Sequence, residues 1–281
     1  MDDKTLERNR AHLVMKKNEM VQKATYNMSA LEQKFICYTI SKIKPMDKEL
    51  DFMEISALEF AEVCGIDKKN VYREFKKMCE NFKHRSSWIS VGDDVIELSL
   101  IGFPEYNEKS GRLKFLLNPR LKKYLLELGN VYTQYELWNI LSLKSKYSIR
   151  LYEIFRSYAF QSFVKIELER LKGLLCAESY GRFADFERRV LKKSLDEINK
   201  LTDLEVCYEP IRYGKGKCGK GSKVVSIAFT IKKKSTDKKI EAYYETIERL
   251  NHKTKQCKGQ LSIFDEGMEK EIKTAASIDV H

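Results

Sequence analysis

Residues 184–201 read ADFERRVLKKSLDEINKL, and the placement of charge in this stretch decides how the whole chain is read. At about 100° per residue along a helix, Phe186, Val190, Leu191, Ser194, Leu195 and Ile198 share one half-circle. Arg188, Arg189, Lys192, Lys193, Asp196, Asn199 and Lys200 share the other. One face is built to pack; the other carries five basic side chains, an Asn and a single acid. Glu187 lands on the apolar side and calls for a local partner. Such a helix fits the major groove of duplex DNA, where Arg or Lys pairs with guanine and Asn with adenine. The same pattern also suits an ordinary amphipathic helix with a Lys-rich solvent face.

The flanking sequence gives this helix a setting. A helix is predicted over 134–160, a short β run over 163–166, and a second helix over 167–175. Two β runs follow the basic helix, at 204–213 and 223–232. A similar order occurs earlier in the chain. Ser29 and Glu32 have capping-box spacing, and Leu31, Phe35, Tyr38, Thr39 and Ile43 recur at helical intervals until Pro45. A β run at 51–56 leads to a helix over 57–63 ended by Gly65. Asp67 can cap a helix carrying Val71, Phe75, Met78, Cys79 and Phe82. Two β runs, 88–91 and 95–101, then read as a hairpin. A third run at 113–117 and a helix over 119–128 connect the halves. Shifting the sequence by 111 positions pairs Phe52 with Phe163, Ile55 with Ile166, Phe60 with Leu171, Val63 with Leu174, Phe75 with Phe186 and Cys79 with Val190. The prediction is an α+β protein of two tandem winged-helix domains related by an internal pseudo-repeat. An arm (1–28) precedes the first domain (29–130), which serves dimerisation, DNA contact or both. The second (131–234) is the main DNA-binding domain, and a tail (235–281) follows.

Composition agrees with a nucleic-acid partner. The 281 residues carry 52 Lys+Arg against 41 Asp+Glu, a net charge of +11. Residues 183–234 hold 13 basic and 7 acidic side chains, so more than half of the excess sits on under a fifth of the chain. With 43% hydrophobic residues the chain is too apolar for a disordered protein. No apolar run is long enough to cross a bilayer, so no membrane partner is expected. Seven cysteines form no CxxC pair, which suits reduced thiols in a cytoplasm.

Two further basic sites stand out. Arg73, Lys76 and Lys77 oppose the apolar stripe of the first-domain helix, diluted by Glu74 and Glu80, as DNA contact or dimer surface. Between the last two β runs, Lys215, Lys217, Lys220 and Lys223 alternate with glycines. Gly214 and Gly219-Lys220 have phosphate-loop spacing, but Gly221 stands where that motif needs Ser or Thr, and a strand follows where it needs a helix. A basic wing along phosphates fits better. Four histidines (12, 84, 252, 281) form no metal-ligand spacing, and no nucleophile motif is present. The sequence offers no enzyme and implies no cofactor.

Three stretches, Tyr147–Glu153 (YSIRLYE), Phe186–Leu191 (FERRVL) and Glu197–Leu204 (EINKLTDL), together with Asn27–Lys34 (NMSALEQK), resemble the iteron-binding plasmid replication initiator (Rep) proteins. The resemblance covers roughly residues 8–232. It implies two winged helices, binding to direct repeats in the double-stranded DNA of a plasmid origin, opening of nearby duplex and recruitment of the host replicative helicase. It also implies exchange between an initiating monomer and a self-repressing homodimer. The family's major-groove helix carries over onto Arg188, Arg189, Lys192, Lys193 and Asn199, with Lys200 beside them. The family pattern often has a basic residue where Glu187 stands and a proline where Lys193 stands. In the tail, Gln260-Leu261-Ser262-Ile263-Phe264 resembles the peptide by which bacterial proteins dock on the replication sliding clamp; a tail helix packing on the body would use the same residues. The alternative is a winged-helix transcriptional regulator without origin function.

Overall fold

In this computed structural model, which describes residues 2–255 apart from 26, 45, 67–69, 85–86, 92–93 and 215–221, each half of the chain builds a three-stranded antiparallel sheet. The first half begins α1 (Asp3–Ala11), β1 (Leu13–Lys17), α2 (Asn18–Lys23) and α3 (Ala30–Ile40). It continues β2 (Phe52–Ser56), α4 (Ala57–Cys64), α5 (Val71–His84), β3 (Ser87–Val91), β4 (Asp94–Leu98), β5 (Ile101–Asn107) and β6 (Arg112–Leu117). A 3-10 turn (Pro119–Leu121), α6 (Lys122–Leu125), β7 (Tyr132–Glu136) and α7 (Trp138–Leu141) lead to α8 (Lys146–Tyr158). The second half has β8 (Phe163–Glu167), α9 (Leu168–Leu175), α10 (Phe183–Phe186), a π-helical stretch (Glu187–Lys192) and α11 (Lys193–Leu201). It ends with β9 (Leu204–Tyr213), β10 (Lys223–Lys233) and α12 (Thr236–Lys255).

The pseudo-repeat is physical. A shift of 111 lays β2 on β8 and α4 on α9 end for end. Both sheets have the same order, β2-β6-β5 and β8-β10-β9, with the first strand paired to the second strand of the wing hairpin. Each sheet packs its buried apolar side chains against the helices; Ile55 faces Leu113 and Ile166 faces Ile227 on the buried side. Phe35 centres the first core, its ring 5.3–5.7 Å from those of Phe60, Phe75, Phe82 and Phe115. In the second core Phe155 meets Phe229 at 4.9 Å.

The capping box at the start of α3 forms as its spacing predicts. The Ser29 N–H donates to Glu32 Oε2 at 2.7 Å and the Glu32 N–H to Ser29 Oγ at 3.3 Å. The other Glu32 oxygen accepts from Asn81 Nδ2 at 2.8 Å, tying α3 to α5.

Two expectations are corrected. The hairpin predicted as the first wing, β3–β4, forms a separate two-stranded sheet, and the wing is β5–β6. Alternation identifies strands but not which hairpin pairs with β2. The helix predicted over 134–160 is broken. β7 takes its first residues into a ladder with β1, and α8 begins only at Ser145, whose Oγ accepts the Tyr147 N–H at 3.1 Å. The arm expected over 1–28 holds α1 and α2 and packs on the body: β1 pairs with β7 from Leu13↔Glu136 to Lys17↔Tyr132, and Arg10 is 1% exposed.

The run Ser148–Glu153 on α8 is buried internal scaffolding. Lys16 Nζ reaches Glu153 Oε1 at 2.5 Å, and Tyr135 Oη donates to the same oxygen at 2.6 Å. Arg150 Nη2 donates to the Ala24 carbonyl at 2.6 Å. Burial by itself would raise the Glu153 carboxyl, but Lys16 and Arg150, with the hydrogen bonds from Lys16 and Tyr135, hold it below the ordinary glutamate range. Beside it, burial pushes the Cys37 thiol up to about 11.

Candidate nucleic-acid interface

The basic helix spans α10, the π stretch and α11 without a break. Phe186, Val190, Leu191 and Ile198 are fully buried beneath it, which seats it on the second core. Such burial is worth roughly 1.5–3 kcal/mol per large side chain, far more than the weak cost of repulsion among exposed cations. The packed face therefore holds the charged one outward. Arg188, Arg189, Lys192, Lys193 and Lys200 are all exposed.

Their electrostatics differ. Arg188 Nη2 lies 3.1 Å from Asp185 Oδ1 and Lys200 Nζ lies 2.9 Å from Glu245 Oε1. Exposed pairs of this kind are worth about 0–1 kcal/mol and exchange easily for a phosphate. Arg189, Lys192 and Lys193 have no ion pair among the described residues. The partner that Glu187 calls for is Tyr208 on β9, whose hydroxyl donates to Glu187 Oε1 at 2.7 Å. Burial, then that bond, drives the Tyr208 phenol up from its ordinary value. Glu197 faces the other way: its carboxylate accepts the Lys144 and Ser145 N–H groups at 3.2–3.4 Å, where the positive end of α8 favours an anion.

Asn199 corrects the sequence reading. Its Nδ2 donates to the Val206 carbonyl at 3.0 Å and its Oδ1 accepts the Val206 N–H at 2.7 Å. The amide is spent on clamping β9 to the helix and is not presented to a base. The π stretch explains the error. With i→i+5 bonding each turn takes more residues, so everything after Lys192 lags a straight 100° count. Asn199 rotates out of the basic arc towards the packed side. Lys193 and Lys200 began at the far edge of that arc, so the same lag carries them further into it.

The wing rises from β9 and β10. Lys223 is exposed and pairs with Tyr213 at the wing's base; Lys215, Lys217 and Lys220 lie outside the described residues. Two side chains here escaped the sequence reading. Tyr213 is 80% exposed. Arg212 is also exposed, and strand alternation puts it on the same face as Tyr208, the face that meets the basic helix. Periodicity counted from Tyr208 would have found it.

The first-domain helix is arranged differently. Arg73 and Lys77 are exposed, but Arg73 pairs with Glu74 at 3.5 Å and Lys76 with Glu108 on the first wing at 2.5 Å. That bond raises the Lys76 ammonium and lowers the Glu108 carboxyl. Gly111, at φ +64°, lets the wing approach the Tyr72 ring, which a Cβ there would meet at 2.4 Å. This module's wing thus covers part of its own helix. The segment 260–264 lies outside the described residues. Among those described, no group of three His, Cys, Asp or Glu side chains could hold a metal, and no helix is long and apolar enough to cross a membrane.

Comparison with known proteins agrees with this architecture. The structure is similar to that of a Pi initiator protein crystallised in complex with iteron DNA, with a TM-score of 0.64 and 21% identity over 79% of this chain and 97% of that one. A replication initiation protein of Escherichia coli is 20% identical over 206 residues. That match spans 69% of this chain but only 64% of the relative's length. Two family domains match in tandem, described as the first winged helix of an initiator replication protein over residues 13–156 and the second over residues 167–231. With both winged helices in place and in this order, the chain belongs to the initiator replication protein family.

Proposed function

We propose that this protein binds direct repeats, iterons, in the double-stranded DNA of a plasmid origin, with the second winged helix as its principal reader. The observation that carries the reading is the exposed row of Arg188, Arg189, Lys192 and Lys193 over a fully buried apolar face. A helix so mounted enters a major groove about 12 Å wide while its cations replace condensed counterions. Lys223, Arg212 and the wing lysines lie along adjacent phosphates. The Pi initiator, of similar fold, was captured on iteron DNA. Once bound, the protein promotes local opening and recruits the host helicase. The first domain, its helix partly covered by its own wing, serves contact with the far part of the repeat or self-association into a repressing dimer. The segment 260–264 is the candidate ligand for a sliding clamp.

Footprinting the purified protein on the DNA upstream of its own coding region, at physiological salt, tests this. Evenly spaced protected direct repeats are expected. A single protected inverted repeat would support a transcriptional regulator instead, because a two-fold dimer is mirrored in its site. Absence of specific protection would overturn both readings.

A further inference from the structure

Among the described residues, two groups of contacts join the winged helices. α8 carries the first. Tyr152 Oη and Arg156 Nη1 donate to the two oxygens of Asp203, just after α11, at 2.9 and 3.0 Å. The Lys16–Glu153 pair binds the same helix to β1. Asn139 Oδ1 on α7 accepts the Asp203 N–H at 2.8 Å, so this first attachment is a cluster about Asp203 and not one helix alone.

α12 supplies the second attachment. Its first three turns lie on the second module and on α7. Lys238 pairs with Glu205 at 2.9 Å, Thr246 Oγ1 donates to the Leu201 carbonyl at 3.0 Å, and the Tyr243 ring stands edge-on to Trp138 at 5.3 Å. Further along, α12 reaches the first module. Leu250 passes so close to Gly65 that a Cβ there would sit 2.7 Å from the Leu250 carbonyl oxygen. Asn251 Oδ1 accepts from Arg10 Nη1 at 3.1 Å. The same buried guanidinium donates to the Glu62 and Val63 carbonyls, both at 3.0 Å, where the negative end of α4 favours a cation. Arg10 on α1 therefore holds the end of α4 and the end of α12 together. Both α1 and α12 lie outside the residues matched by the two family domains, 13–156 and 167–231.

We infer that Arg10, Gly65 and Asn251 are positioning residues: they clasp α12 to the end of α4, setting the angle between the two winged helices and hence the spacing at which both engage one duplex. The spacing half of this inference rests on the DNA-binding reading; the angle does not.

Two variants separate the clasp from folding, Arg10→Met and the milder Asn251→Ala, each checked by thermal melting. In free full-length protein, spin labels placed through Glu80→Cys on α5 and Glu209→Cys on β9, with exposed cysteines changed to serine, report the inter-module distance. The clasped protein gives one narrow distribution, and both variants broaden it. On DNA, the unaltered protein loses about tenfold or more in affinity when two base pairs are inserted within a footprinted repeat. The variants lose less than about threefold, while affinity for the half-repeat protected by the second module stays unchanged. A purely structural role would lower half-repeat and full-repeat binding alike. Unchanged distance distributions in both variants overturn the clasp, and broadened distributions with an unchanged insertion penalty overturn its role in spacing. Failure of the DNA-binding reading shows separately, as absence of repeat binding by the unaltered protein.

Discussion

Gly65 and Cys176, 111 residues apart, end α4 and α9 in the same left-handed conformation, at φ +62° and +48°. The repeated fold places the same backbone demand at both positions but fills it with different residues. At Gly65 the passing Leu250 backbone leaves no room for a side chain, whereas Cys176 is only half-buried and bears the left-handed strain itself. Strain there costs about 1–2 kcal/mol for a residue with a Cβ, partly offset by the entropy that glycine loses on folding. Cys176→Gly is therefore expected to stabilise by up to about 1 kcal/mol, and Gly65→Ala to destabilise by more than 2. Urea denaturation of the two variants checks this, and equal effects at both positions would refute it.

Asn199 gives the sharpest contrast between a contact with DNA and a contact within the fold. Its amide closes two hydrogen bonds on the Val206 backbone. Removing it leaves a partly buried N–H and carbonyl unpaired, at about 1–3 kcal/mol each. Asn199→Ala should lower the melting temperature by several degrees while leaving the preferred DNA sequence unaltered. Binding-site selection from random oligonucleotides decides: an altered adenine preference would return Asn199 to the reading surface.

That residue also marks how far periodicity reaches. The elements from β8 onward, the capping box at Ser29 and the basic row were legible because each is local: a 3.6 or 2.0 spacing, or a side chain bonded three residues away. Residues bonded across the fold were not. Nothing near Lys16 announces Glu153, and nothing near Arg10 announces Asn251. The choice of β5–β6 over β3–β4 as the first wing depends on which hairpin finds β2. The π stretch, a backbone irregularity without a composition signal, turned the helix enough to misplace Asn199. The YSIRLYE run carries the family resemblance through residues of the interior: Arg150, Tyr152 and Glu153 are all buried in internal bonds.

If Arg189, Lys192 and Lys193 replace counterions on DNA, neutralising all three should flatten the salt dependence of binding. Each lost phosphate contact removes about 0.9 from the slope of log affinity against log salt. Any of the three that reads a base should also relax preference at that position by about 1–3 kcal/mol. Arg212→Ala, on the wing, should lower the slope by about 0.9 without changing sequence preference, as befits a phosphate contact. Titrations at four salt concentrations provide the slopes, and a triple variant with an unchanged slope would place the DNA elsewhere on the protein.

Half-buried His12 and buried Glu153 predict how the fold responds to acid. His12 is held below its usual 6.5, first by burial and then by Lys42 and Arg8 nearby, and its buried Nδ1 has no hydrogen-bond partner among the described residues. Because the folded state disfavours the proton, this stabilisation is complete above 6.5 and is lost as pH falls through the depressed folded value. Glu153 behaves as a depressed carboxylate, its stabilisation complete above 4.5 and lost only at more acid pH. Unfolding free energy should therefore decline in two stages, beginning below pH 6.5 and steepening below pH 4.5. His12→Gln should erase the upper stage and leave the lower one. Glu153→Gln should weaken the acid limb, but it also strands the buried Lys16 ammonium, at about 3–5 kcal/mol across the whole range. Pairing it with Lys16→Met should recover much of that loss, because a neutral pair of similar shape needs no counter-charge in the interior. Chemical denaturation between pH 3.5 and 8 measures all four curves, and a double variant no more stable than Glu153→Gln alone would show that the loss comes from packing and not from the stranded charge.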